Sequence, residues 1–276
     1  MSKVVLITGC STGIGRDLAQ RLTQAGYTVV ATARNVETLN DAQAALKLPL
    51  DVTQPDSVFN AVAQILKQFG RIDVLVNNAG YALRGAMEEV SDEQVQRMFD
   101  VNVFGVLRMI RAVAPHMRQQ GAGRIINISS IAGKLSTPAN GTYSATKFAL
   151  EALSDALRLE LAPFRIQVVL VEPGAIKTQF DDTAQAHAQG ILSNSASPYQ
   201  PLYKMSDHAA ASMRRGEPGP QAVSVVIQQA IEASSPKARY LAAIPIPGRL
   251  VLLLRDFIWD LVLRRMFKIN SSITNQ

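Results

Sequence analysis

Val4-Val5-Leu6-Ile7-Thr8-Gly9-Cys10-Ser11-Thr12-Gly13-Ile14-Gly15 changes character twice within twelve residues. Residues 4–8 are a short β-branched run of the kind that is buried on both faces of a sheet. Glycines follow, which let a chain turn sharply, and over 14–25 apolar residues recur at helical spacing. Strand, glycine turn and helix in that order open a crossover unit joining parallel strands.

The alternation continues along the chain. Residues 28–33, 74–76, 124–129 and 167–171 read as buried strands, with shorter ones at 48–50 and 239–243. Helical patterns occupy 36–46, 57–68, 92–118, 143–161 and 221–233. Repeated strand–helix–strand order implies right-handed crossovers. The expected fold is α/β, a Rossmann-type doubly wound parallel sheet of about seven strands flanked by helices. No repeat period and no linker-like shift in composition divides the chain, so residues 1–276 are expected to form a single domain.

Hydrophobic residues make up 47% of the chain and charged ones 18%, enough apolar content for a large core and too ordered a balance for a disordered chain. Cys10 is the single cysteine, which excludes an internal disulfide framework and suits a reducing, cytoplasmic setting. Met1-Ser2-Lys3 runs straight into the first strand, so no signal peptide is expected. No uncharged apolar run approaches the roughly 20 residues that span a bilayer. The net charge of +6 is uneven: from Lys237 onward, seven basic residues stand against two acidic ones. These charges are interleaved with bulky aliphatic residues rather than clustered, which argues against nucleic acid as a partner.

The glycine turn also has a chemical meaning. Gly9, Gly13 and Gly15, with Ser11, Thr12 and Ile14 between them, would let the backbone approach a dinucleotide pyrophosphate. The helix that follows would present free N–H groups to the anion. The spacing is GxxxGxG rather than the commoner GxGxxG. Gly9-x-Ser11-x-Gly13 is also the spacing of a nucleophile elbow, so a serine hydrolase acting through Ser11 is an alternative from a different enzyme class. That alternative needs a later acid and histidine, and the chain has only His116, His187 and His208. After the second strand, Ala31-Thr32-Ala33-Arg34-Asn35 lacks the acid that would bind the ribose hydroxyls of NAD. Arg34 suits a 2′-phosphate by charge and bidentate geometry, so NADP(H) is expected in preference to NAD(H).

Tyr143-Ser144-Ala145-Thr146-Lys147 opens the helical segment at 143–161. Four residues apart on a helix, phenol and ammonium share one face, about 5–6 Å apart at Cβ. A fixed cation favours phenolate and pulls a tyrosine below its usual pKa of about 10. Such a tyrosine exchanges protons near neutral pH. No His/Cys/Asp cluster suggests a metal.

With these residues assembled, the chain resembles the short-chain dehydrogenase/reductase family from Lys3 to about residue 243. The family's TGxxxGxG matches Thr8 to Gly15, and its Asn-Asn-Ala-Gly matches Asn77-Asn78-Ala79-Gly80. Asp51, in Leu50-Asp51-Val52, matches an aspartate that contacts the adenine, and Asn102 matches the helix asparagine. Ser130, not Ser129, falls at the place of the active-site serine. Pro173, Gly174, Ile176 and Thr178 match the stretch that holds the nicotinamide amide. The resemblance implies an NADP(H)-dependent oxidoreductase in which Tyr143 exchanges a proton with the substrate oxygen and Ser130 hydrogen-bonds that oxygen. It implies that Lys147 holds the nicotinamide ribose and that Asn102 positions a water linking Lys147 to solvent. It further implies a homodimer or homotetramer built on the helices at 92–118 and 143–161. A catalytically silent NADP(H)-binding sensor or scaffold is the remaining alternative; such proteins lack the tyrosine or lysine, and both are present here.

Within the family the likeness is to the 17β-hydroxysteroid dehydrogenase, retinol dehydrogenase and long-chain aldehyde reductase branch. It rests on Ala31-Thr32-Ala33-Arg34, Ala238-Arg239-Tyr240-Leu241 and the apolar C-terminal region. It implies a hydrophobic small-molecule substrate: a ketosteroid, a retinoid or a long-chain aldehyde. Residues 179–218 are too long for an ordinary connection and read as a substrate lid, with Phe180 on one wall and Leu83, Met87 and Leu135 facing it. Residues 249–268 read as an amphipathic helix in which Asp256, Asp260, Arg264 and Lys268 recur every four residues. Three placements of that helix stay open: closing the pocket, joining a partner subunit, or making peripheral contact with an anionic membrane surface.

Overall fold

Residues 2–213, 216–245, 248 and 252 are described by a computed structural model. β1 (Val4–Ile7), α1 (Gly13–Gln24) and β2 (Thr28–Ala33) form the expected opening unit. β3 (Leu46–Pro49), α2 (Pro55–Phe69), β4 (Val74–Asn77), α3 (Asp92–Phe99), α4 (Gly105–Gln120) and β5 (Gly123–Ile128) follow. Then come α5 (Gly141–Leu161), β6 (Ile166–Pro173), α6 (Gln179–Leu192), α7 (Gln200–Met213), α8 (Gln221–Glu232) and β7 (Arg239–Ala242). The strands pair in parallel in one seven-stranded sheet, ordered β3-β2-β1-β4-β5-β6-β7. This is the Rossmann-type α/β architecture that the strand–helix alternation implied.

Period-two side-chain alternation fills both faces of the sheet. On one side Val4 and Leu6 of β1, Leu75 of β4 and Ile125 of β5 pack under α2, α4 and α5 through Val62, Ile65, Met109, Val113 and Leu150. On the other, Val5, Ile7, Val76, Ile126 and Val169 pack under α1 and α8 through Leu18, Leu22, Val223 and Ile227. Each such fully buried aliphatic side chain contributes about 1.5–3 kcal/mol, which is why strands coverable on both faces carry continuous Val/Ile runs. The strand order reverses between β1 and β4, so the loops leaving these two strands diverge and open a crevice at their C-terminal ends.

Two segments depart from expectation. No helix forms over 36–46. A 3₁₀ turn, Val36–Leu39, is closed by the Asn35 side chain accepting from Glu37 N at 3.0 Å. Ala45 N then donates to Val29 O at 2.9 Å, and β3 pairs with β2 from Leu46 onward. A place in the sheet outweighs the helical propensity of Ala42, Ala44 and Ala45. The long helix at 92–118 is interrupted by a π-helical segment, Asp100–Phe104, between α3 and α4. Two helices, α6 and α7, build the expected lid segment. The amphipathic helix expected over 249–268 lies outside the described residues, Leu252 excepted. Among the described residues, no helix is long and apolar enough to cross a membrane.

Candidate active site

The loop leaving β1 is stitched to the loop leaving β4. Thr8 Oγ1 accepts from Asn78 N and Ala79 N, both at 3.0 Å, and Asn78 Nδ2 donates to Thr8 O and Gly9 O, both at 2.9 Å. Gly9 has φ +72°, and a Cβ there would lie 2.9 Å from the Ala79 backbone. Gly15 has no room either, its Cβ falling 2.3 Å from Gly9 O. The bare backbone therefore packs tightly beneath a cleft of about 660 Å³. Thr12 caps α1 without a side-chain hydrogen bond to the first turn. First-turn N–H groups without a cap partner are suited to an anion. These features fit a dinucleotide whose pyrophosphate rests on the loop.

Most residues expected at the nucleotide line this one cleft: Gly9, Ser11, Thr12, Gly13, Ile14, Arg34, Asp51, Val52, Asn78, Ala79, Gly80, Pro173, Gly174, Ile176 and Thr178. Gly15 lies beneath the lining rather than in it. Asp51 Oδ1 is held by Thr53, accepting from Thr53 N at 2.9 Å and Thr53 Oγ1 at 2.8 Å. Thr178 caps α6 by accepting from Phe180 N at 3.2 Å. Cys10, within the same loop, faces the core, and burial pushes its thiol up to about 12. It is inert as a nucleophile.

Ser130, Tyr143 and Lys147 meet in this cleft. Ser130 Oγ accepts from Ala132 N at 3.1 Å, capping a 3₁₀ turn, and retains its hydroxyl proton for donation. Its neighbour Ser129 is only 3% exposed, so Ser130 is the better placed of the two. Tyr143 and Lys147 occupy consecutive turns of α5, with Lys147 Nζ 5.7 Å from the Tyr143 ring centroid. Lys147 is buried and donates to Ile128 O at 2.9 Å. Burial lowers its ammonium from 10.5 to about 8, against the pull of Glu151 in the other direction.

The unfolded chain therefore holds more protons than the folded one between about pH 8 and 10.5, so this residue's contribution to stability rises with pH through that window. The kinetic consequence is that kcat/KM for the nucleotide, which reports groups of the free protein, should fall above about pH 8. Lys147→Arg, which stays charged throughout, should flatten that limb in an initial-rate pH profile.

Asn102 sits in the π segment, a feature that recurs at functional sites. Its Oδ1 accepts from Tyr81 N at 3.0 Å, while Nδ2 donates to Tyr81 O at 2.8 Å and Thr146 Oγ1 at 3.1 Å. Its amide thus braces the post-β4 loop against α5. A Cβ at Gly80 would lie 3.1 Å from Asn102 Oδ1 and 3.9 Å from Lys147 Nζ. The missing side chain keeps the space between those two groups open.

The substrate-side expectations fare unevenly. Phe180 lines the cleft and meets Tyr143 edge-on, with ring centroids 5.8 Å apart. Leu83 is buried beside Tyr143 in a cluster with Ala184 and Ala188 of α6 and is not in the lining. Met87 is outside the lining, 60% exposed and packed near Gly141, and Leu135 is outside it as well.

Several lining residues had no motif to mark them. Tyr81, Arg97, Asp100, Val101 and Thr183 reach the cleft from α3, the π segment, α6 and the post-β4 loop. His187 lies there too, its ring centroid 4.9 Å from that of Tyr81. Burial and the charges of Arg97 and Arg34 lower its pKa. No hydrogen bond joins Ser11 to a histidine among the described residues.

The chain is similar to known proteins in sequence and in fold. The sequence pattern of the family described as short chain dehydrogenase matches residues 3–189. A 3-ketodihydrosphingosine reductase of Bacteroides thetaiotaomicron is 46% identical over 181 residues, which cover 65% of this chain and 66% of the reductase, just under two thirds of its length. Human 17-beta-hydroxysteroid dehydrogenase type 1 is 36% identical over 252 residues, covering 86% of this chain and 76% of that enzyme. The crystal structure of a short chain dehydrogenase/reductase from Burkholderia phymatum in complex with NAD superposes with a TM-score of 0.78 at 29% identity, covering 95% of each chain.

Proposed function

Because the chain belongs to the short-chain dehydrogenase/reductase family, and so is an oxidoreductase of the alcohol/carbonyl couple using a nicotinamide dinucleotide, we propose that it acts on a hydrophobic substrate with NADP(H). Bound in the cleft, the dinucleotide supplies or accepts hydride. Tyr143 donates a proton to the substrate oxygen during reduction and removes it during oxidation. The Ser130 hydroxyl donates to the same oxygen and stabilises charge developing on it. Lys147 carries positive charge beside the phenol and hydrogen-bonds the nicotinamide ribose. Asn102 holds the post-β4 loop and leaves room at Gly80 for a water between itself and Lys147.

The observation that carries this assignment is the meeting of Ser130, Tyr143 and Lys147 in the cleft above the glycine loop. All three groups being present speaks against a silent sensor. NADP(H) preference rests on Arg34 at the end of β2, with no acid beside it. Arg34→Ala should raise KM for NADPH about tenfold or more while changing KM for NADH less than about threefold, read from paired initial-rate titrations. Equal effects on both nucleotides would remove the 2′-phosphate role.

An apolar substrate is supported by Phe180 and Ala132, which line the cleft and belong, with Tyr143, to an apolar cluster that Ala184, Ala188, Ile191 and Leu192 complete outside the lining. Relatives named for a ketosphingoid and a steroid substrate point to the same chemistry. Long-chain ketones and aldehydes, retinal and 17-ketosteroids should be turned over with higher kcat/KM than small polar ketones in a nucleotide-saturated screen. The reverse order would overturn the apolar assignment and leave the enzyme class standing. A homodimer or homotetramer built on the helical segments at 92–118 and 143–161 is part of this proposal, supported by the exposure of Phe104 in the first (49%) and Leu159 in the second (77%). Sedimentation velocity at micromolar concentration tests it.

A further inference from the structure

Behind the catalytic groups lies a buried ionic cluster to which no role has been assigned. Glu151 on α5 and Glu172 near the end of β6 are 6% and 3% exposed. Two cations bridge them. Lys134 Nζ lies 3.0 Å from Glu151 Oε2 and 3.7 Å from Glu172 Oε1, and Arg239 Nε lies 3.1 Å and 3.2 Å from the same two oxygens. Asp155, one turn further along α5, binds Arg239 Nη2 at 2.6 Å and Arg158 Nη1 at 2.6 Å. Glu151 Oε1 is buried with no hydrogen-bond partner.

The position of the cluster matters. Lys134 ends the turn that begins at Ser130; Glu151 is one turn beyond Lys147; Glu172 directly precedes Pro173-Gly174. Gly133 is pressed between them, where a Cβ would sit 3.0 Å from Glu151 Cγ and 3.1 Å from Lys147 O. The cluster therefore ties together the three segments that carry Ser130, Tyr143 with Lys147, and the nicotinamide loop. The charged groups facing the carboxyl pair are Lys134 from the turn after β5, Lys147, Asp155 and Arg158 from α5, and Arg239 from β7.

Two adjacent buried carboxylates repel, and one proton held between them removes the repulsion and supplies the missing partner. We propose that Glu151 and Glu172 share one proton and, through Glu151, set the charge state of Lys147, with Lys134 and Arg239 fixing the pair in place. Both carboxylates are positioning residues: they act on the reaction through Lys147, so the proposal rests on the role given to Lys147 above. Consistent with the geometry, burial and the neighbouring Glu151 carboxylate push the Glu172 carboxyl well above the usual carboxylate range. As pH rises the shared proton passes to solvent and the pair goes from one negative charge to two. The added charge favours the Lys147 ammonium and delays its deprotonation.

Infrared titration of the full chain reads the shared proton directly, and pH profiles read its effect. The wild-type protein should show a protonated-carboxyl band that disappears across neutral pH. Glu172→Gln should lack that band. Lys134→Met, with one bridging cation fewer, should keep it to a pH higher by at least about half a unit. In kcat/KM, Glu172→Gln should move the alkaline limb down by at least about half a pH unit with the plateau kcat within about threefold, while Glu172→Asp keeps the wild-type limb. A wild-type protein without the band, or variants with unchanged bands and limbs, would overturn the shared proton. A wild-type protein without turnover on any carbonyl would overturn the proposed function instead, and the infrared arm would then decide the pair by itself.

Discussion

Tyr143→Phe should lower kcat by about two to four orders of magnitude and leave the Kd of the nucleotide within about twofold. The phenol oxygen is the one group in the cleft proposed to exchange a proton with the substrate oxygen. Phenylalanine keeps the ring, its edge-on contact with Phe180 at 5.8 Å between centroids and its packing in the cluster with Ala132 and Ala184. Fold and pocket shape are therefore preserved while the proton is lost. Stopped-flow hydride transfer separates this chemical step from nucleotide binding. Undiminished transfer in the variant would remove Tyr143 from the mechanism, and parallel loss of nucleotide affinity would mean that the ring positions the cofactor instead.

The second large effect is expected at the glycine loop. Gly15→Val places a Cβ 2.3 Å from Gly9 O and 2.5 Å from Asn78 Nδ2, and the first of these is backbone that cannot swing aside. Relief requires the start of α1 to move off the loop, or Gly9 and Asn78 to shift at the cost of the Asn78 bonds to Thr8 O and Gly9 O; either displaces the pyrophosphate loop from the helix N-terminus. Overpacking of this kind costs about 1–3 kcal/mol, which as lost binding is about a five- to 150-fold rise in nucleotide Kd. Gly26→Ala is the control. That glycine has φ +85° with nothing within 4 Å, so alanine there should lower Tm through backbone strain and leave Kd unchanged. Calorimetric titration with NADPH and NADH, beside thermal melts, distinguishes loop distortion from general destabilisation.

Much of this molecule is legible in its chain because the determining interactions are local or periodic. A β-branched run followed by Thr8 to Gly15 specifies strand, turn and helix through backbone sterics alone, and β1, β2, β4, β5 and β6 were all readable from apolar runs that a two-sided sheet demands. Tyr143 and Lys147 share a face by helix geometry, which any four-residue spacing guarantees. Where local preference competed with long-range pairing, the sequence misled. Residues 36–46 have helical spacing, yet an edge place beside β2 pulls 46–49 into the sheet. Arg97, Tyr81 and His187 reach the cleft from three separate elements, and no spacing along the chain encodes that convergence. Met87 and Leu135 illustrate the converse, since apolar character says nothing about which way a loop side chain faces. The carboxyl pair is the sharpest case. Glu151 and Glu172 belong to no motif in the chain, and only the packing of α5, β6, β7 and the turn after β5 strips their water and brings Lys134 and Arg239 against both. Sequence alone determined the order of the main strands and helices and the residues that share one helix face; the fold decided burial, and burial shifts the charge that those groups carry.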